Sequence, residues 1–130
     1  MNGVSIDIKD YLITEASLQL SFGTNLFISR IPPMPDFAVC LYDIEGAAPE
    51  LAITSEQYNR DALQIIVRAH GYIEAMVKAW DILNFLQGKA NIEINDSFYT
   101  LLRIIQIPVL FEWDENGRAS VLCSIETQRR

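Results

Sequence analysis

The sequence has 130 residues, half of them hydrophobic, and a formal net charge of −7. This length favours a single domain, residues 1–130, which buries about two-thirds of the surface that its unfolded chain exposes. The acidic balance argues against direct binding to nucleic acid or to an anionic membrane surface, because both attract clustered Lys and Arg side chains.

Two elements are predicted before the first prolines. Residues 5–19 have the spacing of a helix with a short apolar face, and Ser5 or Asp7 is available to cap its start. A turn at SFGT follows this helix. Residues 25–31, NLFISRI, are predicted to form a strand.

The segment IPPMPD, residues 31–36, is predicted to be a stiff connector. Proline fixes φ and lacks the backbone N–H, so this segment does not fit the middle of a sheet. It leads into FAVCLYDI, residues 37–44, where both alternating sets of side chains are mostly apolar, which predicts a strand covered on both faces. Residues 45–61 have weak periodicity and are predicted to form an exposed loop.

The middle of the chain predicts a strand at residues 62–69 and the clearest helix at residues 71–87, with Gly88 at its C-terminal cap. The helix has an apolar stripe at i, i+3, i+4 spacing. This stripe consists of Ile73, Met76, Val77, Trp80 and Leu83. Core packing is the expected role of Met76 and Trp80.

The last third of the chain is predicted to be rich in strands. Residues 98–107 form a strand that ends at Pro108, and a hairpin then joins residues 109–113 to residues 118–126 through DENG. Asn-Gly is a strong hairpin signal, because both residues tolerate positive φ. The order of elements predicts an α+β domain with a mixed, mostly antiparallel sheet flanked by two main helices.

Few side chains indicate catalysis. His70 is the one histidine, and a catalytic hypothesis places it in a cleft with Asp61 and Glu74, in a small cytoplasmic enzyme or ligand-binding module. An exposed or hydrogen-bonded loop histidine is the favoured interpretation, since no partner nucleophile is marked. The sequence has no dinucleotide, phosphate-loop, zinc-protease or serine-hydrolase motif. No catalytic, cofactor-binding or metal-binding residue is therefore expected.

The compartment is predicted from two observations. No basic-then-apolar segment at the N-terminus resembles a signal peptide, and LLRIIQIPVLF is too short and too interrupted to span a bilayer. The protein is therefore expected to be made and kept in a cytoplasm. In that setting Cys40 and Cys123, which lie in strand-like segments, are expected to be buried free thiols.

Arg68 ends a predicted strand just before a helix, which places its charge at the border of the sheet. A surface salt bridge is one interpretation, and a contact with another subunit is the other, because Arg is enriched in interfaces. On the second interpretation, Arg68→Ala weakens assembly and leaves the melting temperature of the monomer nearly unchanged.

An ordered set of segments between Asn25 and Glu126 resembles the tail terminator proteins, also termed minor capsid or tail completion proteins, of long-tailed bacteriophages and prophages. These segments are NLFISRIPPMPDFAVCLYD, EGAAPEL, ALQIIVRA, GYIEAMVKAWDILNFL and FYTLLRIIQIPVLFEWDENGRASVLCSIE. In that family a Pro-Asp corner leads into a strand, a second strand ends in Arg before a helix, and an Asp/Asn/Gly hairpin leads to the closing strand. Ala69 stands where that pattern has glycine, and neck or head-completion proteins remain alternatives.

The resemblance implies a virion structural protein, without catalysis or cofactor, that is made in the bacterial host cytoplasm. It implies a homo-oligomeric ring at the tail–head junction, which caps the tail tube, stops its polymerisation and joins the tail to the head. The implied partners are other copies of the chain, the major tail tube protein and the head–tail connector protein, with no direct nucleic-acid or membrane contact. The residues that match the motifs, and are expected at a subunit or tube interface, are Pro35, Asp36, Arg68, Asp114, Asn116 and Gly117. Because of the net charge of −7, free subunits are expected to associate weakly until the tube protein is present.

Overall fold

The computed structural model describes residues 3–51 and 57–129 of the chain. In chain order, the elements are α1 (Val4–Ile13), a 3₁₀ helix (Ala16–Leu18), β1 (Leu26–Ile28), β2 (Ala38–Leu51), β3 (Gln57–Ala69), α2 (Tyr72–Leu86), β4 (Ala90–Ile94), β5 (Ser97–Trp113) and β6 (Ala119–Arg129). The predicted α+β class is confirmed.

The strands form one sheet in the order β1-β2-β3-β6-β5-β4. Among these strands, β1 and β2 pair in parallel and all other neighbours are antiparallel, so the sheet is mixed and mostly antiparallel, as predicted. Helix α1 contacts β1 and β2 at one border of the sheet and β4 at the other, while α2 packs on β3, β6 and β5. The sheet therefore curls around the two helices, and the sheet and both helices share one hydrophobic core.

Helix α1 is shorter than the predicted helix, because it ends at Ile13 and a turn separates it from the 3₁₀ helix. Val4, Ile8 and Leu12 recur every four residues and are buried in the core. This repeat, rather than the apolar residues further along the chain, fixes the face that α1 turns towards the sheet.

The predicted caps of helix α1 are wrong. Its N-cap residue is Gly3, and no side chain caps that position. The backbone N–H and the hydroxyl of Ser5 donate to the carboxylate of Asp43 at 2.9 and 2.6 Å. Asp7 belongs to the buried polar cluster described below. Both side chains make tertiary contacts, which local spacing does not reveal.

Helix α2 buries a different face from the one predicted. Its buried residues are Ala75, Ala79, Ile82, Leu83 and Leu86. Ile73 is 75% exposed and Val77 is 55% exposed, so the predicted stripe is wrong at these two positions, whereas Met76 and Trp80 pack against the core as expected. The small alanines let the helix approach the sheet closely, which favours this rotation. Neither α2 nor any other helix of the described residues is long and apolar enough to cross a membrane.

Two strands extend into the segment that is predicted to be a loop. The backbone of β2 continues to Leu51 and β3 begins at Gln57, so the loop predicted for residues 45–61 is wrong where the structure describes it. Residues 52–56 of that prediction lie outside the described residues. Beyond Ile44 two register shifts interrupt the pairing of β2 with β3, which accounts for the weak periodicity of the sequence.

Strand β5 does not end at Pro108, contrary to the prediction. Its register on β6 shifts at four places, one of which lies between Gln106 and Val109. A bulge leaves a residue without a ladder partner, and proline lacks the N–H that a partner would require. The strand therefore passes through Pro108 and continues to Trp113.

The two thiols are buried and free, as predicted. Burial raises the pKa of the Cys40 thiol and raises the pKa of the Cys123 thiol to about 12. Because the thiolate is the reactive species, both side chains are poor nucleophiles at neutral pH.

Candidate interaction site

The residues expected at an interface lie at one end of the sheet, where β2 and β6 begin and β3 and β5 end. Two segments meet here, residues 32–36, termed the proline corner, and the hairpin turn at residues 114–117. This end of the sheet is termed the corner end. The structure brings together Pro35, Asp36, Arg68, Asp114, Asn116 and Gly117.

Arg68 lies behind the proline corner and is 6% exposed. Its Nε donates to the Asp36 carbonyl at 3.3 Å, and its Nη2 donates to the carbonyls of Pro32 and Pro35 at 2.7 and 2.6 Å. Burial is the main cause that lowers the pKa of Arg68, and the nearby guanidinium of Arg118 adds to it. The partners of Arg68 are therefore carbonyls of its own chain, which matches neither a surface salt bridge nor a guanidinium free to bind another subunit.

Arg118 is a second buried arginine at the corner end, 5% exposed, which the sequence does not single out. Its Nε lies 2.6 Å from a carboxylate oxygen of Asp114, and its Nη1 donates to the Pro33 carbonyl and lies 3.4 Å from Asp36. The signal in the sequence is its position directly after an Asn-Gly turn and four residues after an aspartate. Arg118 thus ties the proline corner to the hairpin turn.

The hairpin turn is organised by Asp114. One carboxylate oxygen accepts the backbone N–H groups of Asn116 at 3.0 Å and of Arg118 at 2.8 Å. The hydrogen bond from the Arg118 amide is the main cause that lowers the pKa of Asp114, and the Arg118 side chain adds to it. Gly117 has a φ of +75°, which glycine adopts without strain. The predicted Asn-Gly hairpin is confirmed.

The corner end has a buried layer and an exposed rim. The two arginines form the buried layer, while Pro35, Asn116 and Gly117 are exposed and Asp36 is half-buried. Arg68 and Arg118 bond to carbonyls of the proline corner, and Asp114 bonds to backbone N–H groups of the hairpin turn, so contacts within the chain order the backbone of the rim. That the rim contacts another protein stays a prediction.

The structure does not assemble the cleft that the catalytic hypothesis requires. The His70 side chain is 70% exposed, and its Nε2 lies 3.3 Å from the Asp36 carboxylate. Asp61 lies near the opposite end of β3, nine residues before His70, which corresponds to about 30 Å of extended strand. Its carboxylate lies 3.2 Å from Nε of Arg129. His70 and Asp61 therefore cannot act on one substrate atom.

The opposite end of the sheet, termed the closed end, contains a buried polar cluster. Asp7 and Tyr99 are fully buried and Arg129 is 6% exposed. One carboxylate oxygen of Asp7 accepts from the Tyr99 hydroxyl at 2.6 Å and from Arg129 Nη1 at 3.3 Å, and the other accepts from Asn95 at 3.2 Å. Burial and the bond to Asp7 both raise the pKa of Tyr99. Asp7, Tyr99 and Arg129 bond to one another in the protein interior, which indicates a structural role for the cluster.

The second half of β5, Ile105–Trp113, is termed the β5 arm and is a feature that the sequence does not mark. Six large apolar side chains of the arm are between 41% and 57% exposed. They are Ile105, Ile107, Val109, Leu110, Phe111 and Trp113. Strand β4 pairs with β5 as far as Leu101, and residues 87–89 bond to Leu102 and Ile104. Beyond these contacts, no described strand pairs with the outer edge of the arm.

The family of the chain follows from comparison with known protein families. Residues 8–129 match the family of bacteriophage tail terminator proteins. The chain belongs to this family. It is therefore a structural protein of phage tails that functions among other virion proteins, and the resemblance found in the sequence is confirmed.

Solved structures share the fold of this tail terminator. A chain from the virion of a native gene transfer agent particle superposes with a TM-score of 0.69 at 14% identity, over 98% of this chain and 94% of that one. A second solved chain has a TM-score of 0.57 at 10% identity, over 97% of this chain and 89% of its own length. At these identities the likeness concerns the fold alone. No protein with a curated function matches the sequence.

Proposed function

We propose that this tail terminator forms a ring that caps the finished tail tube, stops its polymerisation and joins the tail to the head. The family match over residues 8–129 carries the proposal. In this role the partners are other copies of the chain, the major tail tube protein and the head–tail connector protein, at the tail–head junction of the virion. The role needs neither catalysis nor a cofactor.

The corner end supports this proposal because its loops are held in one shape. A ring built by rotation joins two different surfaces of each subunit, so each subunit must offer surfaces that fit without rearrangement. Loops that are already ordered lose little conformational entropy on binding. The buried arginines provide this order. Arg68 donates to carbonyls of the proline corner, and Arg118 donates to the Asp114 carboxylate of the hairpin turn.

We propose further that the rim of the corner end contacts the tube or a neighbouring subunit. Pro35, Asp36, Asn116 and Gly117 form the accessible part of this rim. Arg68 acts from behind it by positioning the proline corner. This differs from the sequence-based hypothesis, in which Arg68 itself reaches the neighbouring subunit.

Interrupting the gene in its phage or prophage tests the proposed function. Without a cap, tube polymerisation continues past its normal end and heads have no tail to join. We expect electron micrographs to show overlong tails and separate heads, and a plasmid copy of the gene to restore joined particles. Tails of normal length joined to heads in the interrupted strain would refute the cap.

The same complementation assay tests the rim. Asn116→Arg adds a large cation to the exposed rim, and Asn84→Arg makes the same change on the exposed face of α2. We expect a plasmid with Asn116→Arg to restore few joined particles and a plasmid with Asn84→Arg to restore them fully. Full restoration by both would remove the rim from the interface without affecting the result for the interrupted gene.

A further inference from the structure

The β5 arm lies outside the core on both faces. Val109, Leu110 and Phe111 are consecutive, and their side chains are 42%, 41% and 54% exposed. Successive side chains of a strand point to opposite faces, so both faces of the arm carry exposed apolar side chains, although Pro108 within the arm is buried. No described strand pairs with the outer backbone edge beyond Ile104. A long apolar edge of this kind associates with another strand unless something covers it.

The area of the arm is large enough for a specific interface. With roughly half of each large apolar side chain accessible, its six side chains present about 600 Å² in total, divided between the two faces of the strand. A standard interface buries about 800 Å² on each partner, so the arm and its unpaired backbone supply most of one side.

A second unpaired edge on the same chain identifies the partner. Strand β1 pairs with β2 only over Val39–Leu41, so no described strand pairs with the outer edge of β2 from Ile44 to Leu51. This edge and the β5 arm lie on opposite borders of the sheet. β5 runs towards the corner end and β2 runs away from it, so β2 of one copy can extend the sheet of another as an antiparallel neighbour of β5.

We propose that the β5 arm of one copy pairs with the outer edge of β2 of a second copy. Repeated head to tail, this contact uses the free edge of the β5 arm and the free part of the β2 edge in every copy, and a closed ring leaves neither of these two segments unpaired. A twofold contact between two β5 arms would leave both β2 edges free. This inference specifies the self-contact of the proposed ring and rests on that function for its biological setting.

Charge sets the conditions under which the contact forms. Each copy carries a formal net charge of −7, so copies repel one another at low ionic strength. Salt screens that repulsion and does not weaken apolar burial. We therefore expect self-association to strengthen when salt is raised. Weaker association in higher salt would contradict an apolar contact.

Paired lysine substitutions test the arm. Ile107→Lys places a charge in the arm, where Ile107 is 57% exposed, and Ile73→Lys is the matched control on α2, where Ile73 is 75% exposed. Sedimentation velocity over a concentration series measures association, and melting of the dilute monomer measures folding. We expect Ile107→Lys to raise the dissociation constant by about tenfold or more, Ile73→Lys to leave it unchanged, and both monomers to melt as wild type. Wild-type protein that stays monomeric at every concentration, or equal association of both variants, would overturn the inference.

A mixing experiment separates head-to-tail pairing from its alternatives. An Ile107→Lys copy keeps an intact β2 edge, so it can join a wild-type chain of subunits and stop its growth. Small amounts of the variant should then reduce the mean size of wild-type assemblies. If the variant is inert in the mixture, the contact is twofold and the inference fails. It also fails if purified tube protein loses binding to Ile107→Lys while self-association stays normal.

These results are independent of the test of the proposed function. Normal association of Ile107→Lys would remove the β5 arm from the self-contact, and tail length in the interrupted strain would still decide the cap. Normal tails in the interrupted strain would remove the cap, and sedimentation of the purified chain would still decide the self-contact.

Discussion

The two ends of the sheet bury arginines to the same extent with different partners. Arg68 at the corner end and Arg129 at the closed end are both 6% exposed. Arg129 lies against the carboxylates of Asp7 and Asp61, whereas Arg68 donates to backbone carbonyls of the proline corner. The first arrangement places the charge of a buried arginine next to carboxylates of opposite charge. The second holds a chain segment that has few backbone N–H groups of its own.

The two ends therefore differ in role: the closed end stabilises the fold, and the corner end also holds loops that are accessible to a partner. At the closed end Asp7, Tyr99 and Arg129 are buried and bond to one another, while Asn95 is exposed and Asp61 is partly exposed. At the corner end the guanidinium groups point inward and the loops that they hold have their other side in solvent. A variant at the closed end should therefore affect folding, and a variant at the corner end should affect folding and the shape of the rim together.

The largest expected effect is the loss of the buried carboxylate at the closed end. Asp7→Ala removes the acceptor of Tyr99 and leaves Arg129 without one of its buried partners. Breaking a buried ion pair from one side typically destabilises a protein by about 3–5 kcal/mol. We expect a loss of that size in the free energy of unfolding, measured by urea denaturation at pH 7.

Asp10 is the control for this variant, because it lies on the same helix and its carboxylate pairs with Lys9 and accepts from Asn95 at the surface rather than in the interior. Asp10→Ala should cost about 0–1 kcal/mol, as exposed ion pairs do. Equal losses for the two variants would show that the cluster at the closed end is not the main polar determinant of stability.

The next largest effect is expected from Arg68→Ala at the corner end. The substitution removes a charged donor from three carbonyls, and hydrogen bonds of charged groups contribute about 1.5–3 kcal/mol each. The carbonyls regain water in the variant, so we expect a total loss of only about 2–3 kcal/mol, measured by the same urea denaturation. Arg68→Lys should recover only part of this, because one ammonium cannot reproduce the planar fork of donors. A monomer that unfolds like the wild type would restore the interface hypothesis for Arg68.

Some of the fold follows from the sequence because short-range patterns determine it. Apolar side chains in both alternating sets of residues 37–44 predict a strand covered on both faces, and the structure buries Val39, Cys40 and Leu41 in it. The Asn116-Gly117 pair predicts the hairpin turn, since glycine fits positive φ. The structure brings Pro35, Asp36 and Arg68 together with the turn, whereas the sequence grouped these residues only through a family pattern, and their place at an interface stays a prediction.

Other features depend on contacts between distant segments. The exposed face of α2 at Ile73 and Val77 depends on how closely two alanines let the helix approach the sheet. The passage of β5 through Pro108 depends on a bulge opposite β6. An apolar sequence predicts a buried strand whether or not a neighbouring element covers it, so the exposure of the β5 arm is visible only in the structure. The expectation of weak self-association considered net charge and omitted this apolar surface.

The smallest expected effect is a pH dependence that distinguishes two contacts within the corner end. The Arg118 amide and side chain hold the pKa of Asp114 below its ordinary range, so the folded state favours the charged carboxylate. A carboxylate with a depressed pKa stabilises the fold above its unfolded pKa, and this contribution disappears as pH falls through the folded pKa. Its loss should therefore begin below about pH 4, near the ordinary value for Asp.

Asp114→Asn tests this, because it retains an oxygen that can accept the amides of Asn116 and Arg118 but has no charge to lose. We expect the variant to be slightly less stable than the wild type at pH 7, and this difference to shrink as pH is lowered from 5 to 3. The hydrogen bonds of Arg68 end on carbonyls that do not titrate, and only its weaker charge interaction with carboxylates such as Asp114 depends on pH, so the loss caused by Arg68→Ala should change less over the same range. An NMR titration of the Asp114 carboxyl carbon gives the direct measurement, and a midpoint at or above about 3.9, the ordinary Asp value, would contradict the charged turn. A depressed midpoint, together with a smaller pH change for Arg68→Ala, would show two kinds of contact at the corner end. Asp114 holds the hairpin turn through a carboxylate that titrates, whereas Arg68 holds the proline corner through carbonyls that do not.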